Sequence, residues 1–409
     1  MRPISHSSRA FARSGQTSFR SLPSSRAPSA LVHQYLRPRE FRASATWNKM
    51  GKKKKPQIPE EIFHLPRHAS LAAGKQPASI IDTHTHLLST FETYHKVYPD
   101  GYQSYHDFVR GFYRSQADSA STSSPEPHHS VDILIDVWCE APIDPKWKEM
   151  ADSALEEQSR AALWGGVEYW FLMGIHPHNA SQYTDAVEED IINAMQHPRC
   201  RGWGEIGLDY HYMNSPAEVQ KTVLRRQLKH AVALSKPITI HTREADEDIE
   251  RIMKEEIPKD HKIHVHCFTD SPTLARNLLT HFPNLYIGIT GVITYGTNLN
   301  TAQVIRDMVG EPASFDVSRL RIVLETDAPY MVPANIYESL SLTSGKSVRL
   351  ALSHSGMIPW TAEFVASLVN VELGHDAVLS SSSSSTSMAL DANDILTISR
   401  KNARAVYGV

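Results

Sequence analysis

Short apolar segments of strand length alternate along this chain with longer segments whose apolar residues recur at helical spacing. The strand-like segments number eight: residues 79–83, 132–137, 169–173, 201–205, 237–241, 262–266, 285–289 and 322–325. Eight strands alternating with helices within about 250 residues are typical of a (β/α)8 TIM-type barrel. The pattern therefore predicts an α/β barrel. A doubly wound open sheet is disfavoured because no glycine-rich phosphate turn follows the first strand.

The helical segments are amphipathic. Before the fifth strand, one predicted helix face is formed by four residues, Leu224, Leu228, Ala231 and Leu234. A helical segment follows the last strand, where Trp360, Phe364 and Leu368 share a face, and residues 391–407 predict a closing helix. We expect the barrel domain to occupy residues 79–409.

The first 49 residues differ from the barrel in composition. Seven arginines and no acidic residue precede Glu40, which is typical of a mitochondrial transit peptide or of a disordered basic tail. Residues 50–78 predict a linker, and Met50 offers an alternative start that favours a cytoplasmic or nuclear protein. Two serine-rich stretches, near 115–130 and 380–387, predict surface loops inserted into the barrel.

Composition narrows the function classes. The net charge of −3 argues against a broad nucleic-acid-coating surface but not against an enzyme that binds a few phosphates in a pocket. Three scattered cysteines give no disulfide framework, and no apolar run reaches the roughly 20 residues of a membrane span. We expect a soluble protein.

Side chains that bind metals lie at the predicted strand ends. His84 and His86 close the first strand, and four further groups close later strands: Glu205, His241, His266 and Asp327. In TIM-type barrels the C-terminal strand ends meet at one rim, where chemistry takes place. Four imidazoles and two carboxylates suit one or two divalent ions such as zinc or manganese; magnesium, which prefers oxygen ligands, is less natural.

Seven motifs in order give the chain a family resemblance. They are "IDTHTHL", "GIHPHNA" (174–180), "GEIGLDYH" (204–211), "KPITIHTREA" (236–245), "HVHCF" (264–268), "YIGITGVIT" (286–294) and "LETDAPYMVP" (324–333). From residue 80 onward the chain resembles the TatD-related hydrolases, metal-dependent deoxyribonucleases of the amidohydrolase superfamily. It is similar to a fungal branch whose name associates it with a cell-cycle protein partner.

The resemblance implies a binuclear metal site. His84, His86 and Asp327 would hold one ion, His241 and His266 the other, and Glu205 would bridge them. The metals would activate a water for attack on a phosphodiester of DNA, with exonuclease action, and Asp327 is expected to accept its proton. Glu325, two residues before Asp327, is expected to support the ligands from behind.

Three side chains are candidates for holding the substrate: Arg243, two residues beyond a ligand, and the pair His176 and His178. The chain departs from the family at Asp270, where glycine is usual, and at residues 352–366, which replace a stretch containing arginine. Substrate identity therefore stays open between DNA and a small phosphoester or amide substrate. A cell-cycle interaction protein that only retains the barrel is a third possibility.

Overall fold

Eight parallel strands form one sheet in sequence order. The computed structural model describes residues 58–63, 68, 76–114, 129–340, 349–375 and 389–409. The strands are β1 (Ile80–Thr85), β2 (Val131–Trp138), β3 (Glu168–Met173), β4 (Cys200–Asp209), β5 (Ile238–Arg243), β6 (Ile263–Val265), β7 (Leu285–Ile289) and β8 (Ile322–Leu324). A parallel bridge between Thr85 and Ala328 brings the first strand beside the chain that leaves the last. The predicted TIM-type barrel is confirmed.

The observed strands overlap all eight predicted segments, and the largest difference is at β4. The sequence pattern ends this strand at residue 205, whereas the structure continues it to Asp209. Glycine makes the extension possible: a Cβ at Gly207 would lie 1.8 Å from the carbonyl oxygen of His241 on β5. The absence of a side chain lets the two strands pair closely past Glu205.

Twelve α-helices lie within the described residues, and those that follow the strands cover the outside of the barrel. They are α1 (Leu87–Val97), α2 (Tyr105–Arg114), α3 (Lys146–Ser153), α4 (Glu157–Trp164), α5 (Asp185–Ala194), α6 (Ala217–Ala233), α7 (Asp246–Glu256), α8 (Pro272–His281), α9 (Leu299–Val309), α10 (Ile336–Ser339), α11 (Ile358–Glu372) and α12 (Ala392–Tyr407). None of the helices in these ranges has both the length and the apolar content to span a bilayer.

The predicted face of α6 is correct except at its end. Leu224, Leu228 and Ala231 are buried against the barrel. Leu234 is 46% exposed because the helix ends at Ala233 and the next residue turns away from the packed face. Helical spacing alone therefore assigned Leu234 to the buried face, and that assignment is wrong.

Two apolar clusters stabilise the barrel. The larger one fills the layer between strands and helices, and the smaller one joins β1, β2, β3 and β8 to α12 through residues that include Ile135, Val323 and Tyr407. Asp391 and Asp394 form a capping box at the start of α12, which is the predicted closing helix. The expected N-terminal tail (1–49), most of the linker (50–78) and nearly all of both serine-rich insertions lie outside the described residues.

Two leucines on α6 give a matched test of this packing. Leu228→Ala should lower the free energy of unfolding by about 2–5 kcal/mol, because it leaves a cavity at a fully buried site. Leu234→Ala, the same change at the exposed end of the helix, should stay within about 0.5 kcal/mol of the wild type. Urea denaturation of the metal-free protein measures both, and equal losses would contradict the observed end of the buried face.

Candidate metal centre

The six side chains expected to bind metal meet at the C-terminal ends of the strands. His84 lies in β1 and His86 directly after it, Glu205 in β4, His241 in β5, and His266 one residue beyond β6. Asp327 follows β8 with a left-handed backbone (φ 53°), a conformation that aspartate adopts more readily than most residues. The barrel thus brings together residues that are as far apart as 243 positions in sequence.

Glu205 is the centre of the group. This carboxylate is only 3% exposed, and its two oxygens face different imidazoles. Oε1 lies 2.8 Å from His241 Nδ1, 3.4 Å from His176 Nε2 and 3.7 Å from His266 Nε2. Oε2 lies 3.3 Å from His84 Nε2. One side chain therefore contacts histidines carried by four different parts of the barrel.

Asp327 forms the other acidic contact of the centre. Its Oδ1 lies 3.4 Å from His86 Nε2, 3.8 Å from His84 Nε2 and 3.9 Å from His266 Nε2. The rings of His84 and His266 stack with their centroids 3.6 Å apart. The Asp327 side chain remains 13% exposed, so water can reach it.

Burial and charge give these groups contrasting pKa values. Burial, together with the charge of His266, lowers the pKa of His84 to about 4. Burial alone would lower the pKa of His86 and His241 too, but carboxylate neighbours outweigh it and raise both pKa values to about 9. Burial opposes ionisation of Glu205, yet the surrounding imidazoles hold its pKa well below its usual range.

The site fits a divalent metal. Among the described residues, neither ring nitrogen of the fully buried His84 has a hydrogen-bond partner, although Nε2 faces Glu205. A buried polar group without a partner is costly, and coordination would satisfy it. Three overlapping groups could hold an ion: His84, His266 and Asp327; His84, His86 and Glu205; and His176, Glu205 and His241. Imidazole and carboxylate ligands suit zinc and manganese.

His176 lies deeper in the site than the sequence suggested. It was expected to contact substrate, but the structure places it beside Glu205 and His241, in one of the three potential metal groups. Its partner His178 lies further out, with Nε2 2.8 Å from Asp209 Oδ2. The two histidines of this motif therefore do not occupy equivalent positions.

Asp209 is a residue of the site that sequence reasoning missed. It is 1% exposed, and its Oδ2 contacts both His178 and, at 3.3 Å, His241 Nε2. Its Oδ1 accepts hydrogen bonds from the backbone N–H groups of His211 and Tyr212. Asp209 thus connects a candidate ligand to the loop after β4. The sequence does show that Asp209 lies four residues after Glu205, but the predicted strand ended at residue 205 and so did not place Asp209 on it.

Arg243 is the last residue of β5, so it lies at the same C-terminal end of the barrel as the proposed ligands. Its guanidinium lies over the ring of Tyr212, 4.8 Å from the centroid, and Tyr212 is 56% exposed. The rings of Tyr212 and His178 pack edge to face, with their centroids 5.5 Å apart. Arg243, Tyr212 and His178 form one continuous surface, which we call the β4–β5 rim.

The side of the site beside β1 and β2 is acidic. Beside His86 lies a cavity of about 170 Å³, whose lining includes Glu92, Glu140 and Asp144. Cys139 also lines it, with Sγ 3.9 Å from Glu205 Oε2, and burial raises the pKa of this thiol well above its usual range. Carboxylates and a protonated thiol therefore line this side of the site.

Glu325 lies behind His266, on the side of the ring away from Glu205 and Asp327. The side chain is fully buried, and its Oε1 lies 3.1 Å from His266 Nδ1 and accepts a hydrogen bond from the backbone N–H of Cys267. These contacts direct the other ring nitrogen of His266, Nε2, towards Glu205 and Asp327.

The two departures from the family pattern have structural roles. Asp270 accepts hydrogen bonds from Thr242 and from the backbone of Glu244, so it fixes the turn after β5. In the second segment, Ser355 donates to Asp82 Oδ2, which is buried beneath the site. Neither residue adds a side chain to the three groups that could hold an ion.

Comparison with known proteins agrees with this architecture. The family model described as "TatD related DNase" matches residues 81–408. The human 3′-5′ RNA nuclease TATDN2 is 33% identical over 320 residues, covering 74% of this chain and 36% of the human protein. A *Bacillus subtilis* metal-dependent hydrolase, YabD, is 33% identical over 41% of this chain and 62% of its own length. This chain thus spans less than two thirds of both relatives.

Further relatives extend the agreement. The *Escherichia coli* 3′-5′ ssDNA/RNA exonuclease TatD is 29% identical over 48% of this chain and 72% of its own length. Among solved structures, an amidohydrolase from *Saccharomyces cerevisiae* covers 81% of this chain and all of its own, with 18% identity and a TM-score of 0.56. These similarities, and above all the match to residues 81–408, show that the chain belongs to the TatD-related DNase family of hydrolases.

Proposed function

We propose that this protein is a metal-dependent nuclease that hydrolyses phosphodiester bonds of single-stranded DNA or RNA from a 3′ end. The observation that carries the proposal is the cluster centred on Glu205, in which imidazoles and carboxylates from six strand ends converge on one point. The 3′ polarity follows the activities named for the human and E. coli relatives, and the single-strand preference follows that of the E. coli relative. A cell-cycle partner finds no support in these relatives.

Two divalent ions fit the donor set. One oxygen of Glu205 lies beside His84, and the other lies beside His241 and His176. The carboxylate is therefore suited to bridge two ions. His86, His266 and Asp327 would complete the ligands, with zinc, manganese or magnesium as candidates. When bound, the ions would supply positive charge that activates a water and neutralises phosphate oxygens.

Asp327 is the residue we assign to proton transfer. The charge of His266 and the hydrogen bond of His86 outweigh burial and lower its pKa, so it is a carboxylate at neutral pH. A carboxylate that water can reach is able to orient the attacking water and accept its proton.

The β4–β5 rim is suited to hold the nucleic acid. Arg243 offers a guanidinium for a phosphate, and the exposed face of Tyr212 offers a platform for a base. The acidic cavity beside His86 repels phosphates from the other side. The exposed Tyr212 ring favours an oligonucleotide over a small substrate, because a nucleic acid brings a base that can stack on it.

Metal content tests the ligand assignment. The wild type should carry close to two ions per chain after incubation with zinc or manganese, and Glu205→Ala should lose more metal than His86→Ala because its oxygens face both halves of the centre. Elemental analysis measures the content. Glu255→Ala is the control: it removes a surface carboxylate of α7 that pairs with Arg225 of α6, and it should retain the metal. A wild type that stays metal-free would contradict the proposal.

Asp327→Asn tests the proton transfer. It should preserve the fold and much of the metal but lower kcat by ~10²-fold or more, the scale of losing a general base. The assay is nucleotide release from end-labelled single-stranded DNA and RNA, beside a small phosphodiester and an N-acyl amino acid. Asp307→Asn, on α9 at the surface, should leave kcat unchanged. Turnover of the small substrates alone would favour another hydrolase activity.

Arg243→Ala tests the rim. If its guanidinium binds a phosphate equally in the ground state and the transition state, KM for oligonucleotides should rise ~10-fold while kcat changes little. Arg251→Ala removes the same charge from the surface of α7 and should leave KM unchanged. A fall in kcat with constant KM would place Arg243 in the chemical step instead.

A further inference from the structure

A chain of buried polar groups runs from the last helix to the metal centre. Tyr407, near the end of α12, lies inside the barrel and is 3% exposed. Its hydroxyl oxygen lies 2.7 Å from Thr239 Oγ1 and 2.7 Å from His264 Nδ1. Thr239 and His264 are paired in register, and each is the second residue of its strand. The hydroxyl therefore lies at the N-terminal end of the barrel, below the proposed ligands.

The chain continues from His264 to a proposed ligand through Glu325. His264 Nε2 lies 2.9 Å from Glu325 Oε2, and both side chains are fully buried. The other oxygen of Glu325 lies 3.1 Å from His266 Nδ1. Four side chains in series, Tyr407, His264, Glu325 and His266, thus connect α12 to the centre.

The surrounding backbone leaves little room for this chain to rearrange. A Cβ at Gly288 on β7 would lie 2.3 Å from Glu325 Oε1 and 2.5 Å from His264 Nε2. The glycine provides the space that the two side chains fill, so they are held closely between β6 and β8.

The contacts select one tautomer at each histidine. A lone pair on His264 Nε2 would face a carboxylate oxygen, so the proton belongs on Nε2, and Nδ1 accepts from the Tyr407 hydroxyl. Glu325 likewise retains the proton of His266 on Nδ1, which leaves the Nε2 lone pair directed towards Glu205 and Asp327. Without the Tyr407 hydroxyl, the Nδ1 lone pair of His264 loses its donor, and the ring loses the contact that holds its orientation from below.

We infer that Tyr407 and His264 are positioning residues for the metal centre, acting through Glu325 to fix the orientation and tautomer of His266. The inference rests on the proposed function, because it requires His266 to bind metal. It gives the closing helix α12 a part in the metal centre beyond packing. Thr239 completes the chain by partnering the tyrosine hydroxyl.

The test is the metal affinity of Tyr407→Phe in the full chain. We expect zinc affinity, measured by competition with a chelating indicator, to fall ~10-fold, within the range for loss of a supporting contact to a ligand. The visible absorption of the cobalt-loaded protein should also shift, because the ligand geometry at His266 changes. Tyr94→Phe is the matched control: it removes another fully buried tyrosine hydroxyl, one that contacts Glu60 and accepts from the backbone N–H of Tyr102.

A coupling measurement separates positioning from general stability. If Tyr407 acts through Glu325, adding Tyr407→Phe to Glu325→Gln should lower zinc affinity by much less than ~10-fold. The free energy of unfolding of the metal-free protein should fall by a similar amount in Tyr407→Phe and Tyr94→Phe. Unchanged zinc affinity and cobalt spectrum in Tyr407→Phe would overturn the inference alone. A wild type without measurable affinity for zinc, manganese or cobalt would overturn the proposed function and this inference with it.

Discussion

The burial of the Glu205 carboxylate is the constraint on which the site depends. A carboxylate that is 3% exposed is strongly destabilised unless charges or hydrogen bonds compensate it. The barrel provides compensation by placing an imidazole from β1, from β5, from the residue after β6 and from the loop after β3 within 3.7 Å of its oxygens. The position of each histidine is thus tied to the same carboxylate, and the closed strand order brings them to it.

Much of the fold and of the proposed ligand set was predictable because it depends on local pattern. Buried parallel strands give continuous apolar runs, and the side chain that follows such a run lies at the rim whatever its tertiary neighbours. His84, His241 and Asp327 could therefore be nominated from position alone. The helices were predictable for the same reason, apart from the end of α6, where the chain turn rather than the spacing decides that Leu234 is exposed.

The residues that sequence reasoning missed depend on contacts that no local pattern encodes. Asp209 reaches the site because Gly207 allows β4 to continue along β5. Tyr407 connects to it through His264 and Glu325, because the final helix returns to the barrel interior beside strands that precede it by more than 140 residues. The sequence predicts that His176 contacts substrate, because its motif lies in the loop after a strand. Only the fold shows how close that loop comes to Glu205.

The charge distribution links the centre to a direction of approach. Carboxylates line the cavity at β1 and β2, whereas Arg243 and the exposed Tyr212 lie at β4 and β5. In the proposed function, Arg243 makes the β4–β5 rim the side at which a nucleic-acid phosphate would bind. Asp209 holds both His241 and the backbone of the Tyr212 loop, and this shared carboxylate fixes the rim relative to the proposed ligands. The β4–β5 rim and the proposed ligand His241 are thus positioned by one buried residue.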